Sequence, residues 1–141
     1  MMIKVQDDAE TRKDRIRKTA GYFDRTLDED EINEIAKDWY KADNTDDKYI
    51  LEKLSDSPYW EIRESVAGNV STPLDTLIKL SKDDNWRVRV KAAKNCNLPE
   101  KLLSELKNDE EPLVREAVER RIARHDLDNN RYRFTNKKLL T

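Results

Sequence analysis

The sequence contains one cysteine, one histidine and two glycines among 141 residues, and each shortage excludes a class of chemistry. One cysteine cannot form an internal disulfide, and with one histidine it cannot complete a zinc or iron–sulfur site within the chain. Two glycines are too few for the glycine-rich loops that hold nucleotide phosphates. We therefore expect no metal, thiol or nucleotide chemistry, and no cofactor.

Long apolar runs are also absent. Charged residues make up 41% of the chain and hydrophobic residues 36%, and the mean hydropathy is -1.02. No segment approaches the roughly 20 apolar residues that a membrane span needs, and the first residues lack the apolar core of a secretory signal. These features predict one small cytoplasmic domain that has no membrane partner.

The middle of the chain is similar to itself at a shift of 26 residues. Residues 57–82 align on 83–108 with seven identities. The matched pairs are Trp60 and Trp86, Arg63 and Arg89, Ala67 and Ala93, Asn69 and Asn95, Pro73 and Pro99, Leu77 and Leu103, and Leu80 and Leu106. A further copy begins at residue 109, and half a unit precedes the first complete one.

Each unit is predicted to form two short helices. The first begins near Ser57-Pro58, where a good N-cap residue is followed by proline, and it ends near Asn69. The second begins near Pro73 and carries a stripe of leucines. Because neither helix can bury its apolar stripe alone, successive pairs are expected to stack around a continuous core. Cys96 aligns with Val70 and is expected in that core.

The units PYWEIRESVAGNVSTPLDTLIKLSKD and DNWRVRVKAAKNCNLPEKLLSELKND resemble HEAT-like repeats, especially the short form called the variant leucine-rich repeat. The resemblance covers roughly residues 46–124 and rests on a Val-Arg or Ile-Arg pair, a closing Asn and an opening Pro. It implies a short right-handed α-solenoid of about three helical pairs. It also implies a structural ladder between repeats, formed by Arg63, Asp83, Arg89, Asp109 and Arg115. Asp56 is expected to substitute for the aspartate that Ser57 replaces in the first copy.

The predicted all-α fold has three parts. Residues 1–26 are dominated by charge and are expected to form a tail or a frayed helix. Residues 27–125 are the repeat domain, with an N-terminal capping helix and repeats near 46–56, 57–82, 83–108 and 109–125. Residues 126–141 are expected to begin with a turn-rich break and to continue as a basic tail.

The candidate binding surface is the face of the first helix of each unit on which the repeat does not dictate the residue. In HEAT-like proteins this helix commonly lines the concave side, so the resemblance implies a surface with an acidic patch beside a basic centre. Its members are Glu61, Glu64, Arg87, Lys91, Lys94, Arg120, Arg121 and Arg124. Trp60 and Trp86 are expected to pack against neighbouring helices, with anchoring of a partner as the alternative. A merely solvated face is the alternative for the charged residues.

The predicted function is that of a non-enzymatic protein-interaction module, because rigid stacked helices lose little conformational entropy on binding. The partner is an unidentified protein. The alternative is nucleic-acid binding through the basic C-terminal half, against which stands the isoelectric point of about 5.6. No carboxylate lies in a context that indicates catalysis, and His125 has no evident partner. Uncapped repeat ends would expose apolar surface, so self-association is also open.

Overall fold

The computed structural model describes residues 9–22 and 26–139, and every regular element within these ranges is a helix. The helices are α1 Ala9–Tyr22, α2 Glu29–Asn44, α3 Lys48–Leu54, α4 Trp60–Gly68, α5 Leu74–Leu80, α6 Trp86–Lys94, α7 Glu100–Leu106 and α8 Pro112–Leu139. The predicted all-α class is confirmed. None of the described helices combines the length and the apolar character needed to cross a bilayer.

The helices between Glu29 and Leu139 alternate between two rows. Helices α2, α4, α6 and α8 form an inner row, in which each packs against the next. Helices α3, α5 and α7 form an outer row, and each contacts the inner-row helix that follows it in the chain. Helix α1 packs against α2.

The core joins both rows and α1, and most of its large side chains are aliphatic. The fully buried ones are Ile16, Ile32, Leu51, Ile62, Leu77, Leu80, Leu98, Val66, Val88, Val114 and Val118. Each such burial stabilises the fold by about 1.5–3 kcal/mol relative to an exposed side chain. The apolar columns of the 26-residue pattern, such as Ile62, Val88 and Val114, therefore face inward.

Local sequence sets where the helices begin. The Asp28 carboxylate accepts from the amide of Glu31, whose side chain accepts in return from the amide of Asp28, and this capping box begins α2. Pro73 and Pro99 are the N-cap residues of α5 and α7. The first helix of the unit was predicted to begin near Ser57-Pro58 with Ser57 as its N-cap, but the N-cap is Tyr59, two residues later.

Helix α4 instead begins at Trp60. The Ser57 hydroxyl accepts from the amide of Tyr59 at 3.2 Å, so it organises the turn before the helix rather than the helix itself. The same helix ends at Gly68, and Asn69 follows in an extended conformation with φ -78°. Val70, eight residues after Ile62, therefore lies beyond the end of α4.

That early end corrects the predicted position of Cys96. Val70 is 70% exposed, and Cys96, one unit later, is exposed as well. Both residues follow the last turn of an inner-row helix, where the chain has already left the core. The helical spacing was extended one turn too far.

Both ends of the chain differ from the prediction. Part of the expected N-terminal tail is α1, in which Ile16, Thr19 and Ala20 are buried, while residues 1–8 and 23–25 lie outside the described residues. The expected break at 126–130 was also wrong, because α8 continues through it to Leu139 over 28 residues. The aspartates and asparagines of that segment lie on an exposed helical stretch, where solvent satisfies their side chains.

Candidate binding surface

Side chains spaced 26 residues apart bind each inner-row helix to the preceding one. Asn69, Asn95 and Arg121 each donate to two backbone carbonyls at the C-terminal end of the preceding helix. For Asn95 the acceptors are Ala67 O at 2.8 Å and Asn69 O at 3.1 Å. For Asn69 they are Ala42 O and Thr45 O, and for Arg121 they are Ala93 O and Asn95 O. These bonds satisfy carbonyls that a helix end leaves without an intrahelical donor.

Arg121 is therefore not part of an open binding surface, contrary to the prediction. Its guanidinium also donates to Cys96 O and Leu98 O, at 3.1 and 2.9 Å. Burial lowers the pKa of this guanidinium from its ordinary value. Arg121 lies one repeat after Asn95, so the 26-residue alignment contained the signal for this role.

A second set of contacts forms between arginine and aspartate. Arg63 Nε and Nη2 donate to the two carboxylate oxygens of Asp83 at 2.8 and 3.1 Å. Arg89 repeats this geometry on Asp109 at 2.8 and 3.0 Å. Each aspartate belongs to the unit after its arginine, so the paired bonds join consecutive units. Two parallel bonds fix the relative orientation of the groups better than one.

The third nitrogen of each of these arginines binds its own unit. Nη1 of Arg89 donates to Asp83 O at 2.8 Å, and Nη1 of Arg115 donates to Asp109 O at 2.6 Å. The expected substitution by Asp56 does not occur, because its carboxylate pairs with Lys79 at 2.8 Å. Arg63 Nη1 likewise donates to Ser57 O at 2.8 Å, so the residue six positions before each arginine offers its backbone carbonyl whether or not it is an aspartate.

The pKa of the Asp109 carboxyl lies below its ordinary value. Burial raises its pKa, but hydrogen bonds from Arg89 and from the Glu111 amide, with the charges of Arg89 and Arg115, outweigh burial and lower the pKa overall. The Arg89 guanidinium correspondingly has a raised pKa, chiefly through its hydrogen bond to Asp109. This ion pair is therefore a structural element of the fold.

Helix α1 covers the predicted acidic patch. Glu61 is only 3% exposed, and its Oε1 accepts a hydrogen bond from the Thr19 hydroxyl. Its Oε2 is buried without a hydrogen-bond donor in the part of the chain that the structure describes. The prediction of Glu61 as an open binding residue was wrong, because a helix of the same chain lies over it.

Arg12 extends this cover to α2. Its guanidinium lies 5.4 Å from the centroid of the Trp39 ring and pairs with the Asp43 carboxylate at 2.9 Å. The Trp39 indole in turn donates to the Ser65 hydroxyl at 3.0 Å, which joins α2 to α4. The face of α2 and α4 is thus occupied within the molecule.

Glu64 lies at the edge of the covered region. It is half-buried and lines a cavity of about 280 Å³ together with Arg15, Trp39 and Lys91. Burial raises the pKa of the Glu64 carboxyl, and the charges of Lys91, Arg87 and Arg15 reduce this effect without reversing it. Glu64 marks the boundary between the part of the face that α1 covers and the part beyond it.

Beyond this boundary the two predicted tryptophans form a platform for Arg87. Trp60 and Trp86 are half-buried and pack against the core. The guanidinium of Arg87 lies 5.0 Å from the Trp60 ring centroid and 4.4 Å from that of Trp86. Stacking on an aromatic ring at an exposed site is worth about 0.5–1 kcal/mol and holds the cation in place. The tryptophans therefore pack within the fold and position a charge at its surface.

The remaining predicted residues lie on a surface that we call the α6–α8 face. Its members are Arg87, Lys91, Lys94, Leu113, Arg120 and Arg124. All six are exposed, and Leu113 is a large apolar side chain with 46% of its surface accessible. Arg120 pairs with Glu116 at 2.6 Å. Within the described part of the chain, Lys91 and Lys94 form neither a hydrogen bond nor an ion pair.

The exposed side chains of the α6–α8 face are mostly cationic and suit an anionic ligand. Between 9 and 22 and between 26 and 139, no group of three or more His, Cys, Asp or Glu side chains is placed to hold a metal ion. His125 is exposed, with Nε2 3.6 Å from a Glu100 oxygen in a groove of about 320 Å³ between α7 and α8. A fixed set of cations beside an apolar side chain instead suits an acidic ligand with an apolar side.

Scans against protein-family models, curated proteins and solved structures found no match to this chain.

Proposed function

We propose that this chain is a HEAT-like repeat protein, a short right-handed α-solenoid of about three helical pairs, and that it acts as a non-enzymatic protein-interaction module. The 26-residue spacing of the bonds from Arg63 and Arg89, and of those from Asn69 and Asn95, supports the repeat assignment. Bonds that recur at a fixed interval are what equivalent stacked units require.

The observation that carries the functional proposal is the row of cations on α6. Arg87, Lys91 and Lys94 recur at i, i+4 and i+7, so they project from one side of the helix. Helix α6 packs against α4 on one side and α8 on the other, so its backbone is held in place. A fixed row of cations gives orientation and a fast encounter with an oppositely charged partner.

The contacts favour a protein over nucleic acid as the partner. Tight electrostatic binding of nucleic acid requires about 6–10 neutralised phosphates. Arg121 is engaged by backbone carbonyls and is therefore withdrawn from phosphate binding. The chain as a whole carries a net charge of -2.

A capture experiment with two matched variants tests this function. The tagged protein is exposed to nuclease-treated lysate of its own cells, beside the face variant Arg87→Glu/Lys91→Glu/Lys94→Glu. The control variant changes three exposed lysines of the outer-row side by the same charge. These control substitutions are Lys82→Glu, Lys101→Glu and Lys107→Glu.

We expect one protein to be retained by the parent and the control variant and lost from the face variant. Circular dichroism should show equal helix content in all three proteins, because every substituted side chain is exposed. Retention of the same proteins by the face variant would refute the assignment of the surface. Loss of the ligand on nuclease treatment would replace the protein partner by nucleic acid.

A further inference from the structure

Helix α1 lies on the inner row through contacts between its basic side chains and acidic side chains of the rest of the chain. It carries five basic and two acidic side chains, which are Arg12, Lys13, Arg15, Arg17 and Lys18 against Glu10 and Asp14. The groups that it meets on the rest of the chain are acidic. Arg12 pairs with Asp43, and Arg17 pairs with Glu29 at 2.9 Å. The seat of α1 is therefore a basic helix on an acidic surface.

The contact with α4 follows the same pattern. Glu61 accepts from the Thr19 hydroxyl beneath α1, and the charge of Arg15 acts on the Glu64 carboxylate. The buried part of α1 is small and consists of Ile16, Thr19 and Ala20. A short apolar stripe with flanking charges of the opposite sign is thus sufficient for a helix to lie on this row.

One repeat later the equivalent positions are basic. Glu61 corresponds to Arg87, so one acidic side chain becomes a cation, and the uncharged Ser65 and Gly68 correspond to Lys91 and Lys94. The α6 side of the face therefore presents three cations where α4 presents one acidic and two small residues.

An apolar strip runs beside these cations. Val90 replaces Glu64 one repeat later and is half-buried against the core, and the position one repeat after Val90 is the exposed Glu116. Leu113, which lies one repeat after Arg87, is the exposed apolar residue of α8. Ala117 lies one turn further along α8 and is buried. The strip between α6 and α8 therefore offers apolar contacts with cations along one edge.

We propose that the α6–α8 face binds an acidic amphipathic helix of a partner protein, seated beside α1 in the way that α1 is seated on α2 and α4. This inference rests on the proposed function and names the partner's chemistry. The apolar side of the partner helix covers Val90 and Leu113, and its carboxylates meet Arg87, Lys91 and Lys94. In helix-in-groove recognition, an amphipathic helix lays its apolar side on the apolar surface of its partner in this way.

Three fluorescent peptides of about 20 residues, long enough to form a helix, test the proposal. The acidic peptide has leucines at helical spacing and glutamates on its polar side. The basic peptide has lysine in place of each glutamate, and the shuffled peptide has the acidic composition without the leucine stripe. Fluorescence anisotropy measures the binding of each to the full chain, to the face variant and to the control variant.

We expect the acidic peptide to bind about tenfold more tightly than the basic one, since three exposed charge pairs contribute about 0.5 kcal/mol each. The face variant Arg87→Glu/Lys91→Glu/Lys94→Glu should reverse this preference, and the control variant should keep it. The shuffled peptide should bind more weakly than the acidic peptide.

Equal binding of the acidic and basic peptides, or no reversal in the face variant, would overturn the acidic partner. Equal binding of the acidic and shuffled peptides would overturn the helix. If no peptide binds while lysate capture remains sensitive to the face variant, this inference fails and the proposed function stands. Displacement of the acidic peptide by a single-stranded oligonucleotide at lower concentration would assign the face to nucleic acid.

Discussion

At the scale of single residues, the junctions between units depend on a few polar side chains that reach across them. Asn95 is buried and donates to Ala67 O and Asn69 O. Its own side-chain oxygen accepts from the Asn97 amide at 3.0 Å. A buried side chain with three bonds to backbone cannot be replaced by solvent, because water does not reach those carbonyls.

Replacement of this side chain should be costly. Asn95→Ala leaves buried carbonyls without a donor, so we expect a loss of about 2 kcal/mol in the free energy of unfolding. Asn97→Ala is the control, because Asn97 is exposed and gives up one bond to Val70 O and a weak one from Cys96 Sγ at 3.8 Å. Urea denaturation followed by circular dichroism measures both, and equal losses would contradict the role assigned to Asn95.

Two carboxyl groups should give opposite pH dependences. Burial raises the pKa of Glu64 above its unfolded value, so its stabilising contribution is present at low pH and is lost as the pH rises from about 4. The pKa of Asp109 is lowered, so its contribution is present at neutral pH and is lost as the pH falls.

Unfolding midpoints between about pH 2 and 7 should separate the two groups. Glu64→Gln should be more stable than the parent at neutral pH, with the difference shrinking toward pH 4. Asp109→Asn should be less stable at neutral pH, with its deficit also shrinking as the pH falls. Differences that do not change with pH would contradict these assignments.

The sequence predicted most columns of the core, because these recur at 26 residues, although Val70 and Cys96 are exposed. The resemblance to HEAT-like repeats implied the residues of the arginine–aspartate contacts. The sequence did not predict that Arg63 binds the aspartate of the following unit, since a one-dimensional pattern does not order units in space. Glu61 was misplaced for a different reason. Its burial depends on α1, which lies outside the repeats.

At the scale of elements, α1 is the helix whose packing against the rest of the fold the sequence did not predict. Its pattern of charges resembles that of a solvated segment, and between residues 10 and 21 its buried side chains are those of Ile16, Thr19 and Ala20. Three small or medium side chains give a weak periodic signal. The helix is stabilised by what it packs on, as is general for short helices.

Because Ile16 is 1% exposed and is the largest apolar contact of α1, Ile16→Ala should cost about 2–4 kcal/mol at this interface. We expect α1 to detach while the inner row remains folded. Hydrogen exchange should therefore accelerate in Ala9–Tyr22 and remain slow in α4 and α6. Lys18→Ala, at an exposed site, should change neither. Loss of protection across α4 would show that α1 is integral to the core.

Helix α8 is longer than predicted because residues 126–130 continue a helix that has already formed, although their composition favours turns. Residues 126–130 favour turns when considered alone. They follow directly on a helix anchored by Val114 and Val118, and extending an existing helix costs less than starting one. Local composition therefore predicted the end of α8 too early, because the helix starts at the core and continues through residues 126–130.

At the scale of the whole molecule, the inner row presents one side divided into two parts. Helix α1 occupies the part formed by α2 and α4, and the α6–α8 face lies beyond it. The repeat relates the two parts in position, and Arg87 lies one repeat after Glu61, so a basic side chain takes the place of an acidic one. In the proposed function, α1 covers one part of the inner row and the α6–α8 face remains open for a partner helix.

The most direct measurement of the central claim is a map of amide chemical-shift changes in the nitrogen-15-labelled chain as the acidic helical peptide is added. The account predicts changes concentrated on α6 and on the first turns of α8, around Lys91 and Leu113, with little change in α3 and α5. Changes centred on the outer row, or spread evenly over the chain, would contradict it.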